Sequence, residues 1–252
     1  MKPLEIAKDI YSVGVKDWNV RNFHGYLTQK GSTYNAYLII DEKITLIDTV
    51  KAPFCEEFLE RISQVVDLSK IEYVVSNHVE MDHSGSMPEV MKRLPNATVL
   101  TNAAAEKEHK LHYDTTNWKI QTVKTGDSVS IGKRTLTFLT TPMVHWPDNM
   151  LTYCPEDKIL FSNDAFGQHL ASSENFDDEL SLDLILAEAK KYYANIVMPY
   201  SSQVVTALKA ASALDIKMIA PAHGLIWRTN LPAILECYTK WSNQEKEKKA
   251  GK

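Results

Sequence analysis

The stretch "NHVEMDHSGS", residues 77–86, places two histidines and two acidic residues within six positions: His78, Glu80, Asp82 and His83. The apolar run "IEYVVSN", residues 71–77, leads into this stretch and predicts a buried strand. Loops at strand ends are where a rigid scaffold commonly presents functional side chains. Histidine and carboxylate side chains are common metal ligands, so the sequence predicts a metal-binding loop after this strand.

Three other predicted strands are also followed by a side chain that could bind a metal. "LTFLTTPMVH" ends at His145, "KILFSND" ends at Asp164 and "KMIAPAH" ends at His223. A single histidine after a strand is more often a hydrogen-bonded structural residue than a ligand. Four such segments, together with the cluster at residues 78–83, favour one shared site.

The seven predicted metal ligands are His78, Glu80, Asp82, His83, His145, Asp164 and His223. Seven ligands are too many for one tetrahedral ion but suit two metal ions with a bridging carboxylate. Asp164 is the expected bridge, because a carboxylate has two oxygens to share and an imidazole has one coordinating nitrogen. Glu80 favours iron or manganese, although zinc is compatible with the same ligands. Two ferric ions would keep a net positive charge, which an oxo, hydroxo or peroxo bridge would partly neutralise.

Strand and helix patterns alternate along the chain and predict an α/β (α+β) fold. Strands are expected at 10–15, 34–40 and 44–50, the last two as a hairpin, and a helix is expected at 55–67. Further helices are expected at 88–95, 103–113, 179–194, 201–213 and near the C-terminus. Two strand-rich halves, the second beginning with the strand "WKIQTV" at 118–123, are flanked by helices and predict two sheets packed face to face, a four-layer αββα sandwich. We expect one domain at 1–241 and a polar tail at 242–252.

The composition excludes several classes of function. The chain has 252 residues and a formal net charge of -4, which gives no basic surface for nucleic acid or an anionic membrane. It lacks an apolar run of membrane-spanning length and an N-terminal signal peptide, so we predict a cytoplasmic protein. Cys55, Cys154 and Cys237 are widely spaced and predict reduced, structural cysteines.

The motif His-x-Glu-x-Asp-His followed by "SGS", with "HWPDNM", "FSNDAFGQH" and "PAHGLIW", resembles the metallo-β-lactamase-like diiron domain of flavodiiron proteins. This family reduces O2 to water or NO to nitrous oxide. The resemblance extends from "DWNVRNFHGY" to "ILECYTKW". Zinc hydrolases of the same superfold typically carry histidine where this chain has Glu80, so Glu80 matches the diiron branch.

The resemblance divides the seven ligands between two irons: His78, Glu80 and His145 on one, Asp82, His83 and His223 on the other, and Asp164 as the bridge. In some family members the histidine at the position of His83 leaves the metal. The resemblance also implies that His24 and Tyr193 stand beside the open coordination positions, where they would hydrogen-bond a reduced oxygen species and supply protons. Core packing is an equally compatible role for Tyr193, because Tyr192 is adjacent.

The remaining histidines and two aromatic residues have less specific expectations. His109 and His112 are predicted on a solvated helix face, although an i, i+3 spacing could also bind a metal. His169 is expected at the rim of the site. Trp146 and Phe166 either surround the metals or belong to the core.

Flavodiiron proteins normally continue into a flavodoxin-like domain that carries FMN. This sequence has no flavodoxin-like phosphate loop, no GxGxxG and no C-x-x-C pair, so we expect no FMN site in this chain. The favoured hypothesis is a stand-alone sensor that binds O2, or NO, and acts on a signalling partner. The alternatives are an O2 or NO reductase that receives electrons from a separate flavoprotein, and a dinuclear zinc hydrolase. The resemblance further implies a homodimer.

Overall fold

The computed structural model describes residues 2–243. These residues form sixteen β-strands, which are β1 (Leu4–Ala7), β2 (Ile10–Ser12), β3 (Val15–Asp17), β4 (Asn22–Phe23), β5 (Tyr26–Leu27), β6 (Ser32–Tyr34), β7 (Tyr37–Ile39), β8 (Ile44–Ile47), β9 (Ile71–Val75), β10 (Thr98–Thr101), β11 (Lys119–Thr122), β12 (Ser128–Ser130), β13 (Thr135–Thr140), β14 (Met150–Cys154), β15 (Ile159–Asn163) and β16 (Met218–Pro221).

The same residues form seven α-helices: α1 (Cys55–Ser63), α2 (Met81–Ser84), α3 (Met87–Arg93), α4 (Ala103–His112), α5 (Leu182–Tyr192), α6 (Ser201–Ala211) and α7 (Leu231–Ser242). α4 begins after Asn102, whose side chain accepts hydrogen bonds from the amides of Ala104 and Ala105. Among the described residues, no helix has the length and apolar character of a membrane span. Residues 244–252 of the predicted polar tail lie outside the described residues.

Two main sheets contain most of the strands. The first has the order β1-β2-β7-β8-β9-β10-β11, and the second has the order β12-β13-β14-β15-β16. The predicted hairpin is confirmed as the antiparallel pair β7 and β8, with Tyr37 opposite Ile47. β8 to β11 run parallel to one another, as do β15 and β16. Two short ribbons, β3 with β6 and β4 with β5, complete the strand pairing of the described residues.

Three apolar clusters separate four layers, and the predicted αββα sandwich is confirmed. Successive side chains of a strand point to opposite faces of its sheet. In β9, Val74 packs with α1 and α3, whereas Val75 lies in the cluster between the two sheets. In β15, Phe161 faces the cluster between the sheets, and Leu160 packs with α5 and α7 on the outer face. Both sheets are therefore covered on both faces.

Two strand predictions are wrong in detail. The run "IYSVGV" is not one strand, because the chain leaves β2 at Ser12 and joins a different sheet as β3. Gly14 lies at this crossing, and a Cβ atom there would stand 2.3 Å from the carbonyl oxygen of Tyr34. The strand "WKIQTV", assigned to the second half of the fold, forms β11 and pairs in parallel with β10 of the first sheet.

Asp41 links a turn of the first sheet to a turn of the second sheet through hydrogen bonds. It follows β7, and its carboxylate accepts hydrogen bonds from the amides of Lys133 and Arg134 in the turn between β12 and β13. Burial raises the pKa of Asp41, but these amides and that of Glu42 outweigh burial and hold the pKa below its ordinary value. The charged form of Asp41 therefore stabilises the folded state.

We predict that Asp41→Asn lowers the free energy of unfolding by about 1.5–3 kcal/mol at pH 7, the range for hydrogen bonds to a charged group. Because the folded pKa lies below the unfolded one, this contribution is fully present above about pH 3.9 and is lost as pH falls through the folded pKa. Urea denaturation of the metal-free protein at decreasing pH measures the difference, with the exposed Glu42→Gln as control. A difference that is the same at every pH would contradict this role.

Candidate metal centre

The seven predicted ligands converge at the edge where strands of both sheets end. His78 follows β9, and Asp82 and His83 lie on the one-turn helix α2. His145 follows β13, and the peptide bond before it is cis. Asp164 comes directly after β15, and His223 follows β16, its parallel neighbour. Six of these side chains belong to buried residues and Glu80 is partly exposed.

The carboxylate of Asp164 lies at the centre of the cluster. Its Oδ2 atom is 3.1 Å from Nε2 of His145 and 3.5 Å from Nε2 of His78. Its Oδ1 atom is 3.1 Å from Nε2 of His83 and 3.4 Å from Nε2 of His223. Each oxygen therefore faces a different pair of imidazoles, which is the arrangement of a carboxylate that bridges two metal ions.

Each pair of imidazoles is accompanied by a second carboxylate. Oε2 of Glu80 lies 3.4 Å from Nε2 of His78 and 3.2 Å from Nε2 of His145. Oδ2 of Asp82 lies 3.0 Å from Nε2 of His223 and 3.3 Å from Nε2 of His83. The ligand atoms of His78, Glu80, His145 and Asp164 lie within 4.8 Å of one another, as do those of Asp82, His83 and His223, so each set is compact enough to surround one metal ion.

The buried polar atoms of the cluster indicate whether metal ions fit it, because such atoms normally have hydrogen-bond partners. Within the described residues, hydrogen-bond partners are lacking for Nε2 of His78, His83 and His223, both oxygens of Asp82, Oε2 of Glu80 and Oδ1 of Asp164. Buried polar groups are ordinarily satisfied. These atoms all point into the same space, so the residues present fit two cations.

The cluster also shifts the pKa values of its members in opposite directions. Burial lowers the pKa of His145, but the adjacent carboxylates of Asp164 and Glu80 outweigh burial and raise it to about 9. Burial likewise lowers the pKa of His223, and the adjacent carboxylates of Asp164 and Asp82 raise it to about 10. The pKa of Asp164 is raised by burial, but the surrounding imidazoles hold it well below its ordinary value. The carboxylates are thus stabilised as anions by adjacent positive charge, which protons or metal ions can supply.

His24 reaches the cluster from the short β4–β5 ribbon. His24 and Gly25 form its two-residue turn, and both have positive φ, 49° and 77°. Nε2 of His24 lies 3.4 Å from Oε1 of Glu80 and 4.0 Å from Oδ2 of Asp82. A proton donor on this nitrogen would therefore face both groups of ligands.

His169 supports His24 and does not lie at the rim of the site as expected. It is buried, its Nε2 is 3.0 Å from Nδ1 of His24, and its Nδ1 is 2.7 Å from Oγ of Ser32. If the Ser32 hydroxyl donates to His169, then Nε2–H of His169 donates to His24. His24 then keeps its own proton on Nε2, the nitrogen that faces the cluster.

The structure places Tyr192, and not the predicted Tyr193, beside the cluster. The ring of Tyr192 lies 5.0 Å from that of His169 and 5.9 Å from that of His223. Tyr193 instead packs on Tyr238, and its hydroxyl is 2.9 Å from Oγ of Ser201. α5 ends at Tyr192 and the chain continues as a π-helical turn from Tyr193 to Val197, which alters the register of the side chains.

The expectation for His109 is also wrong. His109 is buried on α4, its Nε2 is 2.9 Å from Oγ of Ser76, and burial lowers its pKa to about 4. His112 is exposed, so the two side chains do not form a pair. Trp146 packs edge-on against His78 with ring centroids 5.3 Å apart, whereas Phe166 belongs to the outer core and contacts Tyr238.

Comparison with known proteins identifies the family. The family model described as "ODP family beta lactamase" matches residues 33–224. The chain belongs to this family. It is 47% identical to nitric oxide reductase of Moorella thermoacetica, over 99% of this chain and 63% of the relative.

Two solved structures show the same similarity. The flavodiiron protein from Giardia intestinalis has a TM-score of 0.94 and 44% identity, over 96% of this chain and 59% of that one. Rubredoxin oxygen:oxidoreductase from Desulfovibrio gigas has a TM-score of 0.92 and 39% identity, over 96% of this chain and 62% of that one. The resemblance to flavodiiron proteins is confirmed, and the chain spans about three fifths of the length of these relatives.

In this ODP family member, two further carboxylates, Asp48 and Asp148, hold the ligand loops in place. Neither was predicted from the sequence. Nδ1–H of His78 donates to Asp148, which also accepts from the amide of Val79 at 2.7 Å. Asp48 accepts both the amide and the side-chain NH2 of Asn77. Both could have been selected from the sequence, because Asp148 lies inside the motif "HWPDNM" and Asp48 directly follows the strand β8.

We predict that Asp148→Asn lowers metal affinity about 10- to 100-fold, the usual cost of losing the group that orients a ligating histidine. The cause is that Asp148 fixes the proton of His78 on Nδ1 and leaves Nε2 free to face the cluster. Competition with a chelator at constant pH measures the affinity, and the exposed Asp183→Asn is the matched control. Equal affinities in the two variants would show that Asp148 has no such role.

Proposed function

We propose that the cluster holds two iron ions and that the protein binds O2 or NO there. The observation that carries this proposal is the carboxylate of Asp164, whose two oxygens face different pairs of imidazoles. A donor set of imidazoles and carboxylates is compatible with iron. Glu80 adds a hard, anionic oxygen where a further imidazole would favour zinc.

The residues around the cluster support a diatomic ligand. Two ferrous ions, when bound, would supply two electrons to O2 or to a pair of NO molecules. Nε2 of His24 faces both carboxylates that accompany the bridge, and a proton there can be donated to a polar ligand atom. The ring of Tyr192 packs beside those of His169 and His223. We therefore assign to Tyr192, and not to Tyr193, the role of hydrogen-bonding a reduced oxygen species and supplying protons.

The names of the relatives favour reduction as the outcome of binding. One is called a nitric oxide reductase and another a rubredoxin oxygen:oxidoreductase. We therefore propose an O2 or NO reductase that receives electrons from a flavoprotein, with oxygen sensing as the alternative. Repeated consumption of the gas after addition of a flavoprotein and reductant would favour the reductase, and retention of one gas equivalent would favour the sensor. A homodimer stays a prediction of the resemblance.

We predict about two iron ions per chain in protein produced with iron available, because two groups of ligands are present and Glu80 adds a hard oxygen ligand to one of them. Glu80→His should shift the bound metal toward zinc, since imidazole replaces a hard oxygen ligand. Elemental analysis measures both quantities, and Glu60→His on the exposed surface of α1 is the control. Two zinc ions in the unaltered protein, with hydrolase turnover, would instead support the zinc hydrolase.

We predict that His169→Ala weakens the retention of bound gas about as much as His24→Ala, because the hydrogen bond between His169 and Nδ1 of His24 holds the ring of His24 in place. One hydrogen bond contributes about 0.5–1.5 kcal/mol, so the dissociation rate should rise about two- to tenfold in each variant. The double variant should show no further rise, since both changes remove one interaction.

Stopped-flow measurement on iron-loaded protein gives these rates, and iron content checks that the ligands are intact. The exposed His112→Ala controls for the loss of a histidine elsewhere. Effects of His24→Ala and His169→Ala that add in the double variant would mean that the two residues act separately.

A further inference from the structure

A small apolar cavity lies under α6, next to the loops that carry two of the seven ligands. Its volume is about 20 Å³. α6 contributes Val204 and Ala207 to its wall, and the opposite wall contains Val144 and Ala165. Neither His24 nor the ribbon that carries it lines this cavity, so it is separate from the polar side of the cluster.

The inner wall of the cavity adjoins the ligand cluster. Val144 directly precedes His145, and Ala165 directly follows Asp164. His145 and Asp164 are the residues whose side chains approach one another at 3.1 Å. A molecule in the cavity would therefore contact residues that are adjacent in sequence to His145 and Asp164, two ligands of the same group.

The outer wall of the cavity adjoins a surface groove. This groove has a volume of about 140 Å³ and lies between α6 and the loop that follows β13. Thr141 and Ala207 line both the groove and the cavity. The small side chain of Ala207 therefore lies between the surface groove and the cavity beside the ligand loops.

The lining of the cavity suits an apolar gas better than water. A cavity needs about 10–15 Å³ to admit a molecule of the size of water, and a bound water requires two to four polar partners. Within residues 2–243, Oγ1 of Thr141 is the one polar side-chain atom of this lining without a hydrogen-bond partner, which is fewer than a bound water requires. The hydroxyl of Tyr238 already accepts the amide hydrogen of Phe166. The rest of the lining is aliphatic or aromatic, and apolar cavities of this kind stay dry and bind xenon.

We propose that this cavity is a binding site for an apolar diatomic gas, O2 or NO, and supplies the metal cluster with it. The inference rests on the proposed function, because a gas is useful there only if the cluster reacts with it. It assigns a role to α6 that the ligand geometry does not require.

Xenon is the probe for the cavity itself, because it binds without chemistry at the metals. In crystals of the iron-loaded protein under xenon pressure, we expect a xenon peak among Val144, Ala165 and Ala207. Crystals of Ala207→Phe should lose the peak, because the phenyl ring fills the space. A water molecule in the cavity, or xenon only elsewhere, would overturn the proposal.

Gas association then tests whether the cavity serves the cluster. Ala207→Phe should slow O2 or NO association with the reduced, iron-loaded protein about tenfold, which corresponds to about 1.4 kcal/mol in the barrier. Ala213→Phe, an exposed change beyond the end of α6, should leave the rate unaltered. Ala211→Leu fills the cavity from another direction and replaces Ala207→Phe if that variant does not fold.

The two proposals fail in different ways. Unaltered association in both cavity-filling variants, with iron content intact, would overturn the supply role of the cavity. Absence of any reaction with O2 or NO in the unaltered, iron-loaded protein would overturn the proposed function, whereas the xenon experiment would still decide whether the cavity binds an apolar gas.

Discussion

The carboxylate of Asp164 is buried among four imidazoles, and the rest of the site is arranged around it. A buried charge is costly unless it is paired with opposite charge. Asp82 adds a second buried carboxylate, and Glu80 adds a third acidic group at the open side of the cluster. The concentration of negative charge in one place requires cations, and the division of imidazoles between the two oxygens of Asp164 provides two positions for them.

The αββα sandwich explains how such a cluster can be held rigidly. The ligand loops from β9 belong to one sheet, and those from β13, β15 and β16 belong to the other. Hydrogen bonds cross between the two sets of loops. The amide of Met150 donates to the carbonyl of Asn77, and the hydroxyl of Thr152 donates to the side chain of Asn77. Asp148 adds a third link by accepting from His78. The geometry of the site therefore depends on how the two sheets pack, and the hydrogen bonds between the ligand loops in turn hold the two sheets together.

The sequence was sufficient to predict the layers and to select the seven residues that meet at the cluster, because both follow from local patterns. Runs of apolar residues predict strands, and loops at strand ends commonly present functional side chains. Tyr192 could also have been found, since Ile185, Ala189 and Tyr192 lie on one helical face. The π-helical turn that begins at Tyr193 has no such local pattern, and Tyr193 packs on Tyr238 of α7, which is distant in sequence.

Other features depend on contacts between distant parts of the chain and had no local signature. His109 lies on a helix of mostly polar residues and is buried by contacts with Ser76 and Trp118, which are distant from the helix in sequence or outside it. Asp48 follows a strand as Asp164 does, yet it bonds to Asn77 and stays outside the cluster. The interruption of "IYSVGV" at Gly14 likewise depends on the close approach of Tyr34. Local patterns thus predict which residues reach the edge of the sheets, but not which of them face the metals.

The claim on which the account depends is that two metal ions share Asp164. Anomalous diffraction at the iron absorption edge, on crystals of the iron-loaded protein, tests it most directly. The account predicts two iron peaks about 3.5–4 Å apart, the spacing of two-metal sites. One peak should lie among His78, Glu80 and His145, and the other among Asp82, His83 and His223. A single peak, or two peaks without Asp164 between them, would contradict it.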